Sequence, residues 1–224
     1  MIDTPAYFIN EKLNQLVTVD IDPDPESPFQ EIKDAGLPFR YYIDNLNSND
    51  VQNDLAHEVF NDNPDAYENL KQSCHSSEEL FKRIKPLAKQ QHKLVLPITK
   101  YEHGYIEYSL GITQGWDYGA CGFVVADLND ETIKDQSEDE IIGQFIDFEL
   151  ACINDYVNGE ILLITTQKLD DFGHVIDTSN EYDTRYGHEI EDLDDLYNES
   201  LLDSQRQDWK PARQQTTISY HPVN

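Results

Sequence analysis

The chain has 224 residues, with 44 Asp+Glu against 16 Lys+Arg and a formal net charge of −28. A surface this negative repels nucleic acid and anionic lipid, which proteins grip through Lys and Arg, and attracts something basic. Hydrophobic residues at 38%, with 13 Tyr and 9 Phe, supply apolar surface for a core and exclude wholesale disorder, and the length suits one to two domains.

No apolar run reaches the roughly 18–20 residues that cross a bilayer, and residues 1–5 lack a basic stretch leading into an apolar one. The expectation is therefore a soluble protein of the (host-cell) cytoplasm. Cys74, Cys121 and Cys152 form no Cys-x-x-Cys pair, which argues against both a disulfide framework and a thiolate zinc site.

Leu16-Val17-Thr18-Val19 reads as a strand, and residues 20–28, with Pro23, Pro25 and Pro28, as an extended loop. Asp20, Asp22, Asp24 and Glu31 fall where an EF-hand places carboxylates, but Pro25 stands where the sharp turn needs Gly, so no metal is expected. Helices are predicted over 50–60, where Val51, Leu55 and Val59 repeat every four residues, and over 64–72, with Asn63 as cap and Pro64 at the first position. Ser76-Ser77-Glu78-Glu79 has the form of a capping box ahead of Leu80, Ile84 and Leu87. Lys82, Arg83, Lys85, Lys89 and Lys93 form a basic cluster, read as a solvated helix face or an intramolecular partner of the acidic half.

Residues 94–99, 105–110 and 121–126 read as strands separated by glycine-containing turns. Ser137-Glu138-Asp139-Glu140 is a second capping box, and Ile141, Ile142, Phe145, Phe148, Cys152, Ile153 and Tyr156 continue it as an apolar stripe, predicting a helix over 138–158 that Gly159 ends. Strands over 160–169 and 174–178 follow, joined by the turn at Asp170-Asp171-Phe172-Gly173. A last helix is predicted over 189–205, with Ile190, Leu193, Leu196, Tyr197 and Leu201 on one face and carboxylates on the other. The fold class expected is α+β: a mostly antiparallel sheet built from these five strands and packed by helices, with a small helical N-terminal section. The domain scheme is an N-terminal extension, 1–92, an acidic α+β domain, 93–204, and a peripheral tail, 205–224, docking through Trp209 or Tyr220.

The glycine-dense run from Gly111 to Gly122 lacks the order of a phosphate-binding loop, with no Lys and no following helix pattern. Its expected role is structural: Trp116 anchoring the turn in the core, Asp117 bonding backbone amides, Gly119 and Gly122 supplying backbone freedom. An enzyme reading would recruit His103, Asp117 and Cys121, with His174 and His188 as spares, but a negative field makes a thiolate scarcer, so neither catalytic residue nor cofactor is expected.

Tyr101-Glu102-His103-Gly104, then Trp116-Asp117-x-Gly119-x-x-Gly122-Phe123, then Tyr156-Val157-Asn158-Gly159-Glu160 and Tyr186-Gly187 resembles a family of small phage- and plasmid-borne proteins that carry Tyr-x-His-Ser-Gly and Trp-Asp-Ser-Gly-x-x-Gly-Phe segments. The similarity covers about residues 95–190 and departs at Tyr105 and Tyr118, where the family has Gly and Ser. It implies a mobile-element accessory protein and identifies no reaction.

Residues 127–203 hold 23 Asp+Glu against Lys134, Lys168 and Arg185, a net of −20. Carboxylates three or four residues apart on a helix lie roughly 5–6 Å from one another, close enough to the phosphate spacing, one charge per roughly 3.4 Å of DNA strand, to occupy the same groove. The functional expectation is a non-enzymatic inhibitor from a phage or mobile element that binds a basic, nucleic-acid-binding surface of a host defence or DNA-processing protein by DNA mimicry. Its contacts would be Asp139, Glu140, Asp147, Glu149 and Asp155 on one helix and Glu191, Asp192, Asp194, Asp195 and Glu199 on the other. A homodimer would lengthen the array. The alternatives are an enzyme or small-ligand protein centred on residues 116–122, and an acidic immunity-type protein neutralising a basic toxin.

Overall fold

The computed structural model describes residues 5–10, 14–60, 63–176, 181–187 and 209–211. The class is α+β, and the strands divide between two antiparallel sheets in two compact units: residues 1–25 with 159–224, and residues 26–158.

The first unit carries β1 (Ala6–Asn10), β2 (Gln15–Ile21), β7 (Ile161–Lys168), β8 (Glu181–Tyr186) and β9 (Trp209–Pro211), in the order β8-β7-β2-β1-β9. Its central ladder runs from Gln15 opposite Lys168 to Ile21 opposite Leu162. Gly159, at φ +69°, is the residue type that tolerates this conformation, and there the chain leaves the preceding helix and enters β7.

The second unit is built on β3 (Phe39–Ile43), β4 (Lys93–Glu102), β5 (Ile106–Leu110) and β6 (Tyr118–Asp127), ordered β3-β6-β4-β5. Period-two alternation sends Leu94, Ile98, Val124 and Ala126 to one face and Val95, Phe123 and Val125 to the other. The second face packs against α2 (Val51–Phe60), α3 (Pro64–Gln72) and α4 (Ser77–Gln90) through Leu55, Val59, Tyr67, Ile84 and Ala88. The first is covered by α1 (Pro28–Asp34), α5 (Glu138–Ile141) and α6 (Asp147–Asn158). The caps read from the sequence form: Asn63 accepts from the Ala66 amide, Ser76 from Glu79, and Ser137 and Glu140 close a capping box.

Several expectations are corrected. The five predicted strands do not share a sheet, because β7 pairs with β2, and the N-terminal section contributes β3, which runs antiparallel to β6. The partition therefore differs from the 1–92, 93–204, 205–224 scheme, whose first boundary falls between α4 and β4, two elements that pack together. Pro28 opens α1 where a loop was expected, its fixed φ suiting a first helical turn. Of the strand predicted over 174–178, residues 177 and 178 lie outside the described residues; over 174–176 Val175 makes a single bridge to Leu169, and β8 flanks β7. The predicted helix over 189–205 lies outside the described residues.

The helix over 138–158 is present but interrupted by a π segment, Ile142–Ile146, closed by the Asp147 amide bonding to the Ile142 carbonyl. A π turn inserts an extra residue, so everything after it is rotated by about 100° relative to an unbroken α-helix. Ile146, Leu150 and Ile153 turn inward, while Phe148, expected in the core stripe, is 50% exposed.

Candidate functional site

Between β6 and α6 the chain concentrates carboxylates, with Glu131, Asp135, Asp139 and Glu140 exposed and Asp127, Asp130 and Glu138 half-buried. Residues 127–140 contain Asp127, Asp130, Glu131, Asp135, Glu138, Asp139 and Glu140 against Lys134 alone. Ile133, 1% exposed, pins this segment to the core. Local bonds fix many of the carboxylates: Asp127 Oδ1 accepts from the Asn129 amide at 3.0 Å, Asp130 Oδ1 from the amide and hydroxyl of Thr132 at 2.9 and 2.7 Å, and Glu140 Oε2 from the amide of Ser137 at 2.7 Å. The Thr132 hydroxyl and amide hold the Asp130 carboxyl below its ordinary range, and the Ser137 amide and hydroxyl do the same for Glu140. Glu131 pairs with Lys134, and Glu138 with Lys85 of the basic cluster.

Of the first five predicted contacts, Asp139, Glu140 and Asp147 are exposed. Glu149 and Asp155 are not surface groups: they are 4% and 6% exposed, turned inward on α6 after the π segment. Glu149 Oε2 accepts a short hydrogen bond from the Tyr41 hydroxyl, and its Oε1 has no hydrogen-bond partner among the described residues. Burial raises its carboxyl to about 7, and the Tyr41 bond only partly opposes that. Glu191, Asp192, Asp194, Asp195 and Glu199 lie outside the described residues.

The opposite end of the β4–β6 ladder carries the glycine-dense loop. Trp116 does not anchor it in the core; its relative exposure is 104%. The Tyr118 amide donates to the Gly115 carbonyl at 3.4 Å, so Trp116 and Asp117 are the two corner residues of a turn. A Cβ on Gly115 would lie 2.6 Å from Tyr118 Cδ2, so the glycine sits directly against that ring. Asp117 bonds the neighbouring strand through its carbonyl, which accepts from the Glu102 amide at 3.1 Å, and its carboxylate lies 3.8 Å from His103 Nδ1. Tyr101 and Tyr118 are cross-strand partners with ring centroids 4.9 Å apart, and Tyr105 approaches Tyr101 at 5.3 Å. Gly119 has open space where a Cβ would be, whereas one on Gly122 would come within 2.2 Å of the Tyr42 carbonyl oxygen, so Gly122 is required by the close approach of β3.

The thiol an enzyme reading would recruit lies elsewhere. Cys121 Sγ is 3.6 Å from the Ile98 carbonyl, and burial pushes the thiol up to about 12, with Lys100 opposing only in part. Among the described residues no group of three or more His, Cys, Asp and Glu is placed to hold a metal ion, and no helix is long and apolar enough to cross a membrane.

Two polar clusters escape the sequence reading. Glu58, 5% exposed, accepts from Arg40 Nε at 2.8 Å, Tyr42 at 2.7 Å and Lys93 at 2.8 Å. Burial alone would raise its carboxyl; the bonds from Arg40, Lys93 and Tyr42 outweigh it and hold the group at about 2. On α6, Asn154 Oδ1 accepts from the Tyr108 amide at 2.7 Å and its Nδ2 donates to the Tyr108 carbonyl at 3.0 Å; Asn158 does the same with Ile106 at 3.0 and 2.7 Å. Two amide side chains one turn apart thus stand in for a strand along the outer edge of β5. No family model matches this chain, and neither the curated proteins nor the solved structures give a match.

Proposed function

We propose that this protein is a non-enzymatic binding protein that presents fixed carboxylates to a cationic surface of a protein partner, competing there with nucleic acid. The observation that carries this reading is the 127–140 segment, seven acids to one lysine, pinned by Ile133 and braced by its own turn and cap hydrogen bonds. Carboxylates already held in place lose little freedom on binding, which favours affinity as well as steering. The target class, a host defence or DNA-processing protein, follows from charge complementarity and from the resemblance to phage- and plasmid-borne proteins.

The test is capture of a nucleic-acid-binding protein from host lysate at two salt concentrations, followed by displacement with duplex DNA. Recovery at about 0.05 M salt, steep loss by about 0.2 M and release by DNA are expected for an interface of many charge pairs. Capture insensitive to salt, or undisturbed by Asp135→Lys with Asp139→Lys, would overturn the reading.

A further inference from the structure

The tip of the β4–β5–β6 sheet brings several aromatic side chains together at the surface. Trp116 is fully exposed, Tyr105 is 53% and Tyr118 41% exposed, and the half-buried Tyr101 ring lies between the two tyrosines at 5.3 and 4.9 Å. Cross-strand pairing puts Tyr101, Tyr118 and Glu107 on one face, because Tyr101 lies opposite both of the others. Val95 shares that face of β4 further along, where the α2–α4 helices cover it; at the tip the tyrosines stand in their place. Two carboxylates border the rings: Glu107, opposite Tyr101 and 3.4 Å from the Tyr105 hydroxyl, and Asp117 at the turn, 3.8 Å from His103 Nδ1; Glu102 and Lys100, paired with each other at 2.5 Å, alternate to the other face of β4.

A fully exposed tryptophan at a turn corner contributes nothing to the core. Gly115 packs on the Tyr118 ring, so the turn holds Trp116 and Asp117 outward side by side. Aromatic faces flanked by carboxylates attract cations, and arginine above all, since its planar guanidinium stacks on a ring while its edge bonds a carboxylate in two places. A nucleobase would stack equally well on the rings, but it brings a phosphate backbone that this charge repels.

We infer that the Trp116–Tyr118–Tyr101–Tyr105 tip is a receptor for an arginine side chain on a basic segment of the protein partner. This rests on the reading that the partner is cationic, and adds to it an anchoring point of defined chemistry, of the Trp, Tyr and Arg type that dominates interface energetics.

The experiment is isothermal titration of the full chain with oligo-arginine and oligo-lysine peptides of equal length at about 0.15 M salt, where long-range attraction is largely screened. The arginine peptide is expected to bind more tightly, and Trp116→Ala to weaken it about fivefold to thirtyfold while leaving the lysine peptide within about twofold. Because Trp116 touches no core residue, unchanged thermal unfolding of the variant is expected; Tyr118→Leu and Asp117→Asn provide independent variants, each lowering the preference for arginine. Equal affinities for the two peptides, or arginine binding indifferent to all three variants, would overturn the inference. So would concentration-dependent dimerisation that Trp116→Ala abolishes without any arginine preference, since the tip would then be a contact between copies of this chain. The two proposals fail separately: loss of arginine preference with salt-sensitive capture intact removes the tip alone, whereas arginine preference in a protein whose capture is insensitive to salt, or undisturbed by Asp135→Lys with Asp139→Lys, removes the acidic segment alone.

Discussion

Glu149 offers the sharpest test of the packing described above. Its carboxyl stands at about 7 in the folded chain against an ordinary 4.5, because α6 buries it beside Tyr41 with one oxygen unpartnered. A raised acid favours the protonated form in the fold. Below about pH 4.5 both states carry the proton and the group costs nothing; from there to about 7 only the unfolded chain releases it, so stability falls as pH rises; above 7 the penalty is complete. At about 1.4 kcal/mol per pH unit, the full penalty is about 3 kcal/mol, a sizeable part of the 5–15 kcal/mol that holds a typical domain together. Glu149→Gln keeps the shape and an acceptor for Tyr41 while removing the titration. Urea unfolding of both proteins at pH 5, 6, 7 and 8 is expected to show the natural chain losing about 2.5 kcal/mol relative to the variant across that range, with the steepest divergence below pH 7. The other carboxylates contribute equally to both curves and cancel in the difference. Parallel curves would mean that Glu149 is solvated, and that the rotation imposed by the π segment is misassigned.

Two further outcomes test how the sheet of the second unit is assembled. Gly122→Ala drives a methyl group toward the Tyr42 carbonyl and the Ile43 Cα, both backbone atoms that cannot step aside, and is expected to lower stability by about 1–3 kcal/mol or more in thermal unfolding; an unchanged midpoint would refute the close approach of β3 and β6. Asn154→Ala and Asn158→Ala each strip two hydrogen bonds from the β5 edge, expected to cost about 1–3 kcal/mol apiece and to speed hydrogen exchange at the Tyr108 and Ile106 amides respectively; exchange that stays slow would show that the edge is protected by something else.

Local chemistry is legible in this sequence where a few neighbouring residues decide the outcome. Ser137 and Glu140 close their capping box, Asn63 and Ser76 cap their helices, and Gly159 ends α6, because each needs only groups within a turn or so. What fails is phase and partnership. Ile142–Ile146 reads as ordinary helix, and no residue in it announces the extra backbone step; yet that step decides that Glu149 and Asp155 face the interior and Phe148 faces outward. Strand partnership is equally invisible: residues 161–168 carry the same alternation whether they pair with β2 or with β6, and the choice rests on tertiary contacts. Trp116 misleads for a related reason, since an isolated tryptophan among glycines is a core residue by its hydrophobicity alone, and only the turn geometry at Gly115–Tyr118 turns it outward. The Asn154 and Asn158 pair, four residues apart, is a helix-face signal that has meaning only once β5 is known to lie alongside.

The placement of the two surface features constrains any partner that engages both. Lys93 lies opposite Asp127 at one end of the β4–β6 ladder and Tyr101 opposite Tyr118 at the other. Eight residues of strand at about 3.4 Å each separate Asp127, where the acidic segment begins, from the Tyr101–Tyr118 pair by about 27 Å, the length over which one DNA strand presents roughly eight phosphates. A single small ligand cannot bridge that distance, whereas a groove that normally holds duplex can. On the proposed reading the acidic segment would supply a salt-sensitive attraction spread over many charges, and the tip a short-range contact selective for a planar cation. Charge alone would let such a protein bind any basic surface; a second, chemically different contact at a fixed distance would allow it to discriminate among them.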